Sequence, residues 1–264
     1  MDLFSLKGKT VVLTGGCGNL GRIMAGYLLE YGATLMIADI TDQAPDELKE
    51  YEKTGALTVI QCDLSRTDSI REMFRTVEEK AGGIDVLINN AAYGGGAGGK
   101  NCAFRLDDVD DEVWENGLDG TVSVTFRCTR EVLPYFDKRG GGNIVNIASM
   151  YGMIAPDPGI YGDSGSNSPP TYGTGKAGVL QLTRYCASNL ADRKIRVNSI
   201  TPGPFPKVGP TFDREFLKRL QRKTMMNRTG KPEELAGALL LLASDASSFM
   251  TGSNIVVDGG MTAW

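Results

Sequence analysis

Tyr172 and Lys176 stand four residues apart in Tyr172-Gly173-Thr174-Gly175-Lys176 of a 264-residue chain. On a helix, residues four apart share a face, so a phenol and an ammonium can occupy one site. A cation close to a phenol favours the phenolate. That moves a group whose ordinary pKa is about 10 toward the range where it works as a general acid or base. The chain contains no histidine, so the usual proton-transfer side chain is absent and a tuned tyrosine is the leading candidate. The spacing also occurs in ordinary helices, and the rest of the chain has to decide between the two readings.

A second stretch points to a ligand. Lys9-Thr10-Val11-Val12-Leu13-Thr14 reads as a buried parallel strand and runs into Gly15-Gly16-Cys17-Gly18-Asn19-Leu20-Gly21, followed by a helical pattern over 22–30. Gly16-x-Gly18-x-x-Gly21 thus lies between a strand and a helix. There, glycines let the backbone approach a pyrophosphate held at the positive end of the helix dipole. An empty glycine-rich turn is the plain alternative. The next strand, 34–38, ends at Asp39, 18 residues beyond Gly21. A carboxylate there can accept both ribose hydroxyls and would repel a 2′-phosphate. No Lys or Arg lies in 40–48, so NAD is expected rather than NADP. Asp39 could otherwise serve as a cap or turn residue.

These residues need a scaffold, and the alternation of patterns supplies one. Further strands are expected at 57–62, ending at Asp63-Leu64, and at 84–88, ending at Asn89-Asn90-Ala91-Ala92. Others follow at 143–147, which delivers Ser149, at 195–200, which leads into Pro202-Gly203-Pro204-Phe205, and at 254–257. Helical patterns fill 68–80, 112–136, 177–189 and 233–243. Strands and helices in this rhythm imply right-handed β-α-β units and one doubly wound parallel sheet. Ligands bind such sheets at the carboxyl ends of the strands where strand order reverses; Asp63 and Asn90 fall at such ends.

Composition narrows the class. A net charge of −4 and a pI near 5.1 argue against nucleic acid or an anionic membrane as partner. No apolar run reaches the roughly 18 residues of a membrane helix, and the N-terminus lacks a signal-peptide layout. Five scattered cysteines with no Cys-x-x-Cys suggest reduced thiols and no metal site. A soluble, cytoplasmic protein acting on a small molecule is expected.

The set Thr14-Gly15 with the glycine loop, Asp63-Leu64, Asn89-Asn90-Ala91-Ala92, Ile147-Ala148-Ser149-Met150-Tyr151-Gly152, Tyr172-x-x-x-Lys176, Arg196-Val197-Asn198-Ser199-Ile200-Thr201-Pro202-Gly203 and Val257-Asp258-Gly259-Gly260 resembles the short-chain dehydrogenase/reductase family over nearly the whole chain. The resemblance implies a single Rossmann-type domain over 1–264 with about seven parallel strands. It also implies hydride transfer between NAD(H) and a secondary alcohol or ketone. Ser149 would orient the reacting oxygen, Tyr172 would be the general acid/base, and Lys176 would lower the tyrosine pKa and bind the nicotinamide ribose. Cofactor contacts are expected from Gly15, Cys17, Gly18, Asn19, Leu20, Gly21, Asp39, Asp63, Leu64, Asn90, Ala91, Pro202, Gly203 and Phe205, together with Tyr172 and Lys176. The resemblance to homotetrameric members of the family implies a homo-oligomer, a tetramer or a dimer, with 177–189 and 261–264 at its interfaces.

The chain also departs from the pattern. An asparagine that joins the family's proton relay is replaced by Thr121, whose hydroxyl could hold a water. Lys207 stands where a threonine usually contacts the nicotinamide side. Ser149 and Tyr172 are 23 residues apart, where most members have about a dozen. The surplus, over about 153–170, is expected to wall the substrate site, with Tyr161, Asp163 and Asn167 as its polar candidates. This insert is similar to one in members proposed to act on sugars. Gly94-Gly95-Gly96-Ala97-Gly98-Gly99 is either a flexible wall or a tolerant surface loop. The basic segment at about 205–231 is the expected lid, its charges serving an anionic substrate or simply a solvated face. Two other functions fit the motifs: an epimerase or dehydratase using bound NAD on a nucleotide-linked sugar, and a non-catalytic NAD-binding regulator.

Overall fold

The computed structural model describes residues 2–94, 106–207, 209 and 212–264. Its seven strands are β1 (Thr10–Thr14), β2 (Thr34–Asp39), β3 (Leu57–Gln61), β4 (Val86–Asn89), β5 (Gly142–Ile147), β6 (Ile195–Pro202) and β7 (Asn254–Val257). They form one sheet in the order β3-β2-β1-β4-β5-β6-β7, and every pairing is parallel. The expected doubly wound α/β sheet is therefore present. β1 and β4 are buried along their whole length. Apolar and β-branched runs suit them because helices cover both faces. The edge strands β3 and β7 are only partly covered.

The helices are α1 (Gly21–Glu30), α2 (Lys49–Lys53), α3 (Thr67–Ala81), α4 (Asp111–Leu118), α5 (Val124–Arg139), α6 (Pro170–Leu190), α7 (Arg214–Gln221) and α8 (Ala236–Ala243). One core joins Leu13 and Ile88 of the sheet to Leu28 of α1 and Leu239 of α8. The other joins Val12 and Ile144 to Phe74 of α3, Val132 and Phe136 of α5 and Cys186 of α6. In α3, Ile70, Met73, Phe74 and Val77 are buried, the spacing of an amphipathic stripe.

Two helices differ from expectation, and both matter to the site. The helix anticipated over 112–136 is α4 and α5 joined by a π-helical turn, Asp119–Ser123. The helix anticipated from 177 begins at Pro170, where a proline suits the first turn, so Tyr172 and Lys176 lie in its opening turns. α6 crosses the π turn at close range. A Cβ on Gly175 would come within 1.8 Å of Thr121 Oγ1, so only glycine lets the two backbones approach this closely.

β1 pairs with β2 on one side and β4 on the other, which places the reversal of strand order between β1 and β4. The loops leaving β1, β4, β5 and β6 gather at that end of the sheet. Among the described residues no helix is long and apolar enough to cross a membrane. Cys17, Cys62, Cys128 and Cys186 are free thiols. Cys102 and most of the glycine-dense loop, from Gly95 to Gly99, lie outside the described residues.

Candidate active site

The loop after β1 packs against its own backbone. A Cβ on Gly21 would meet the Gly15 carbonyl oxygen at 2.1 Å, which explains glycine at the entry to α1. The first turn of α1 carries no side-chain cap and no acidic residue. Its positive end is thus open to an anion, beside Asn19 and Leu20 on the wall of a cavity. Asp39, at the end of β2, accepts the Cys17 N–H at 2.9 Å and the Ile40 N–H at 2.8 Å. Burial, and then the Asp39 charge, push the Cys17 thiol up to about 12, so it stays protonated. An uncapped helix start beside a carboxylate matches the phosphate and ribose of a dinucleotide.

At the end of β4 the side chains mostly serve the scaffold. Asn90 donates from its amide to the carbonyls of Thr14 and Gly15 at 3.0 and 2.9 Å. Thr14 Oγ1 accepts the N–H groups of Asn90 and Ala91 at 3.0 and 3.1 Å. Ala92 rather than Ala91 reaches the cavity wall. Asp63 accepts the Ser65 N–H and hydroxyl at 3.0 and 2.6 Å, and these bonds hold its carboxyl below the usual range. Asp39, Asp63 and Leu64 line the sheet ends outside the cavity. The Leu64 carbonyl accepts from Arg127 at 3.3 Å, and Arg127 also binds Asp119 at 2.6 Å. That guanidinium ties the β3 loop to the π turn.

Ser149, Tyr172 and Lys176 converge on one cavity of about 840 Å³. Ser149 leaves β5 and caps a short 3-10 turn (Met150–Gly152), its Oγ accepting the Tyr151 N–H at 3.2 Å. Its hydroxyl also lies close enough to the Tyr172 phenol to lower the phenol pKa. Burial outweighs that influence, and Tyr172 sits above its ordinary value. Lys176 is 5% exposed. Its Nζ donates to the Ile147 carbonyl at 2.8 Å and lies 5.9 Å from the centre of the Tyr172 ring. Burial pulls its pKa down to about 8.

The expected lowering of the phenol by Lys176 is therefore not in place in this arrangement. The ammonium is held on the β5 backbone, and desolvation governs both groups. What the geometry does provide is a hydroxyl, a phenol and a buried amine facing one space beside the strand-order reversal.

The architecture and the order of motifs have counterparts among known proteins. Residues 17–262 match the family model described as enoyl-(acyl carrier protein) reductase. A 3-oxoacyl-[acyl-carrier-protein] reductase of Thermotoga maritima is 35% identical over 97% of this chain and 98% of its own length. This chain belongs to the short-chain dehydrogenase/reductase family. A 3beta-hydroxysteroid dehydrogenase of Eggerthella lenta is 34% identical over 98% of this chain and 95% of that protein. The crystal structure of a short-chain type dehydrogenase/reductase from Mycobacterium marinum superposes with a TM-score of 0.84. It is 33% identical and covers 100% of this chain and 98% of that one. As a member of the family, the chain is an NAD(P)-dependent oxidoreductase of the alcohol/ketone type.

Where the chain departs from the family pattern, its side chains have other work. Thr121 donates its hydroxyl to the Gly117 carbonyl at 2.9 Å, so the hydroxyl expected to hold a relay water is engaged within its own helix. In the insert, Tyr161 reaches the cavity but Asp163 and Asn167 do not. The Asn167 side-chain oxygen accepts the Ser168 N–H at 2.9 Å. In the basic segment, Lys218 pairs with Glu215, Lys223 with Asp157 and Arg228 with Glu234, as expected of a solvated face. Lys207 lines the cavity with Pro202, Gly203 and Phe205. Phe212 and Phe216 also line it and escaped the sequence reading. Their signal was an aromatic pair four residues apart at the start of a basic helix.

Proposed function

We propose that the chain moves a hydride between NAD(H) and a secondary alcohol or ketone. The observation that carries this reading is the convergence of Ser149, Tyr172 and Lys176 on one cavity shared with the open start of α1. Tyr172 gives its proton to the ketone oxygen in reduction and takes the alcohol proton in oxidation. Ser149 donates to the reacting oxygen as charge builds on it. Lys176, released from the Ile147 carbonyl or shared with it, would bind the nicotinamide ribose and favour the phenolate. The nicotinamide, when bound, accepts or supplies the hydride.

NAD is proposed over NADP because the Asp39 carboxylate sits at the loop where a 2′-phosphate would lie, and like charges repel. Gly15, Gly18, Asn19, Leu20, Asp63, Ala91, Pro202, Gly203 and Phe205 complete the proposed cofactor contacts. The chain is proposed to act as one domain in a homo-oligomer, and the exposed outer face of α6, with Tyr185 62% exposed, supports such an interface. The free thiols fit a cytoplasmic setting.

Titration with NADH and NADPH, followed by absorbance assays on alcohols and ketones, tests the reading. Tight NADH binding with turnover supports it, and preference for NADPH removes the Asp39 argument. The Tyr172→Phe variant should bind NADH and lose turnover. Binding and turnover both unchanged in that variant would remove Tyr172 from the chemistry.

A further inference from the structure

Beyond the Ser149–Tyr172 pair, the far wall of the cavity is built by two stretches distant in sequence. One is the insert turn Pro158–Ser164, and the other is α7 with the residues leading into it. Tyr161, Phe216 and Phe212 form a row of rings with centroids 5.4 and 5.9 Å apart, and all three line the cavity. The row is held from behind. Arg219 donates from Nε to the Ile160 carbonyl at 2.7 Å, and Lys223 pairs with Asp157 at 2.5 Å.

Several of the polar groups on this wall are engaged within the protein. The phenols of Tyr151 and Tyr161 lie close enough for Tyr161 to raise the Tyr151 pKa. Asp213 caps α7, accepting the Glu215 and Phe216 N–H groups at 2.8 and 3.1 Å, and Ser164 accepts the Ser166 N–H at 3.2 Å. Lys207 is one long flexible cation, able to meet an acidic substituent but not a ring of hydroxyls. A sugar presents a hydroxyl on nearly every carbon, and each one buried without a partner opposes binding. A hydrocarbon ring asks for no such partners and gains from aromatic faces.

We infer that the substrate is a carbocyclic ketone or alcohol, with its reacting oxygen at Ser149 and Tyr172 and its ring body on the Tyr161–Phe216–Phe212 row. The inference rests on the hydride-transfer reading above. It points away from the sugar suggested by the length of the insert, because what the insert brings to the cavity is chiefly an aromatic face.

The test compares kcat/KM with NADH for a bicyclic ketone such as 2-decalone and for butanone, alongside oxidation of hexoses with NAD, in the unaltered chain and in three variants. Tyr161→Leu, Phe212→Leu and Phe216→Leu keep apolar bulk but remove one ring each, and NADH titration reports whether each variant folds. The expected result is a preference of at least a hundredfold for the bicyclic ketone over hexoses. In Phe216→Leu the ratio of bicyclic ketone to butanone should fall about tenfold. Hexose turnover equal to or above that of the bicyclic ketone overturns the inference and leaves hydride transfer standing, as does a ratio unchanged in all three variants. Tight NADH binding with no turnover on any class overturns hydride transfer, and the inference with it.

Discussion

The two halves of the cleft are made of different material. On the cofactor side, the contacts are made to backbone: Gly21 against the Gly15 carbonyl, and the Asn90 side-chain amide across the Thr14 and Gly15 carbonyls. On the substrate side, side chains of the insert and α7 meet one another through rings and one guanidinium. The first half admits few substitutions because its geometry is that of the chain itself. The second can be rebuilt by exchanging side chains while the first stays as it is. That is how one fold serves many substrates.

Breaking the point where the halves meet should have the largest effect. Replacing Tyr172 with Phe is expected to lower kcat by about 10²–10⁴-fold, the usual share of a general acid or base, while NADH titrations stay near the starting affinity. On the cofactor side, Asp39→Asn removes one like-charge contact with a 2′-phosphate. It should shift the NADPH-to-NADH affinity ratio by about tenfold or more toward NADPH. A ratio that does not move would show that Asp39 only holds the Cys17 N–H.

The pH response separates the halves as well. Lys176 binds its proton below about 8, so kcat/KM for NADH in ketone reduction should fall above pH 8, approaching tenfold per unit, while a flat profile to pH 9.5 would exclude this lysine. The same depressed pKa affects stability. Between about 8 and the ordinary 10.5 the unfolded chain keeps a proton that the folded chain has released. Stability should therefore rise with pH across that window as far as this group is concerned.

Smaller effects sharpen the contrast. Gly175→Ala forces a methyl into Thr121 and should cost about 1–3 kcal/mol by overpacking, read as a lower thermal midpoint with activity falling in step. Asp157→Asn breaks a half-exposed pair with Lys223 and should cost under about 1 kcal/mol. It should change KM for substrate while leaving NADH affinity alone; a change in NADH affinity would mean the halves are coupled through the insert.

The sheet and the glycine loop were legible because parallel strands and a tight strand–helix turn each demand particular residue types. Tyr172 and Lys176 were legible as a pair, yet their environment was not: the hold of Lys176 on the Ile147 carbonyl depends on a strand 29 residues away. The π turn at Asp119–Ser123 leaves no periodic mark in the sequence. Its cause is tertiary, since Asp119 is gripped by Arg127 and Tyr93. Phe212 and Phe216 could be read as a pair, but their partner Tyr161 belongs to another segment. Contacts between distant loops are written in no local pattern, which is also why Asp163 and Asn167 were assigned to a cavity that they do not line.

The insert has one more consequence, which concerns chain entropy. It lies within the 22 residues between Ser149 and Tyr172, whose positions are set by β5 and α6 rather than by the loop. Doubling the length of a flexible loop between fixed ends adds only about 0.6 kcal/mol of closure cost. A doubling from the family's usual dozen is therefore small beside the packing that holds the catalytic pair. The loop is free to lengthen, shorten or change its rings while Ser149 and Tyr172 keep their places.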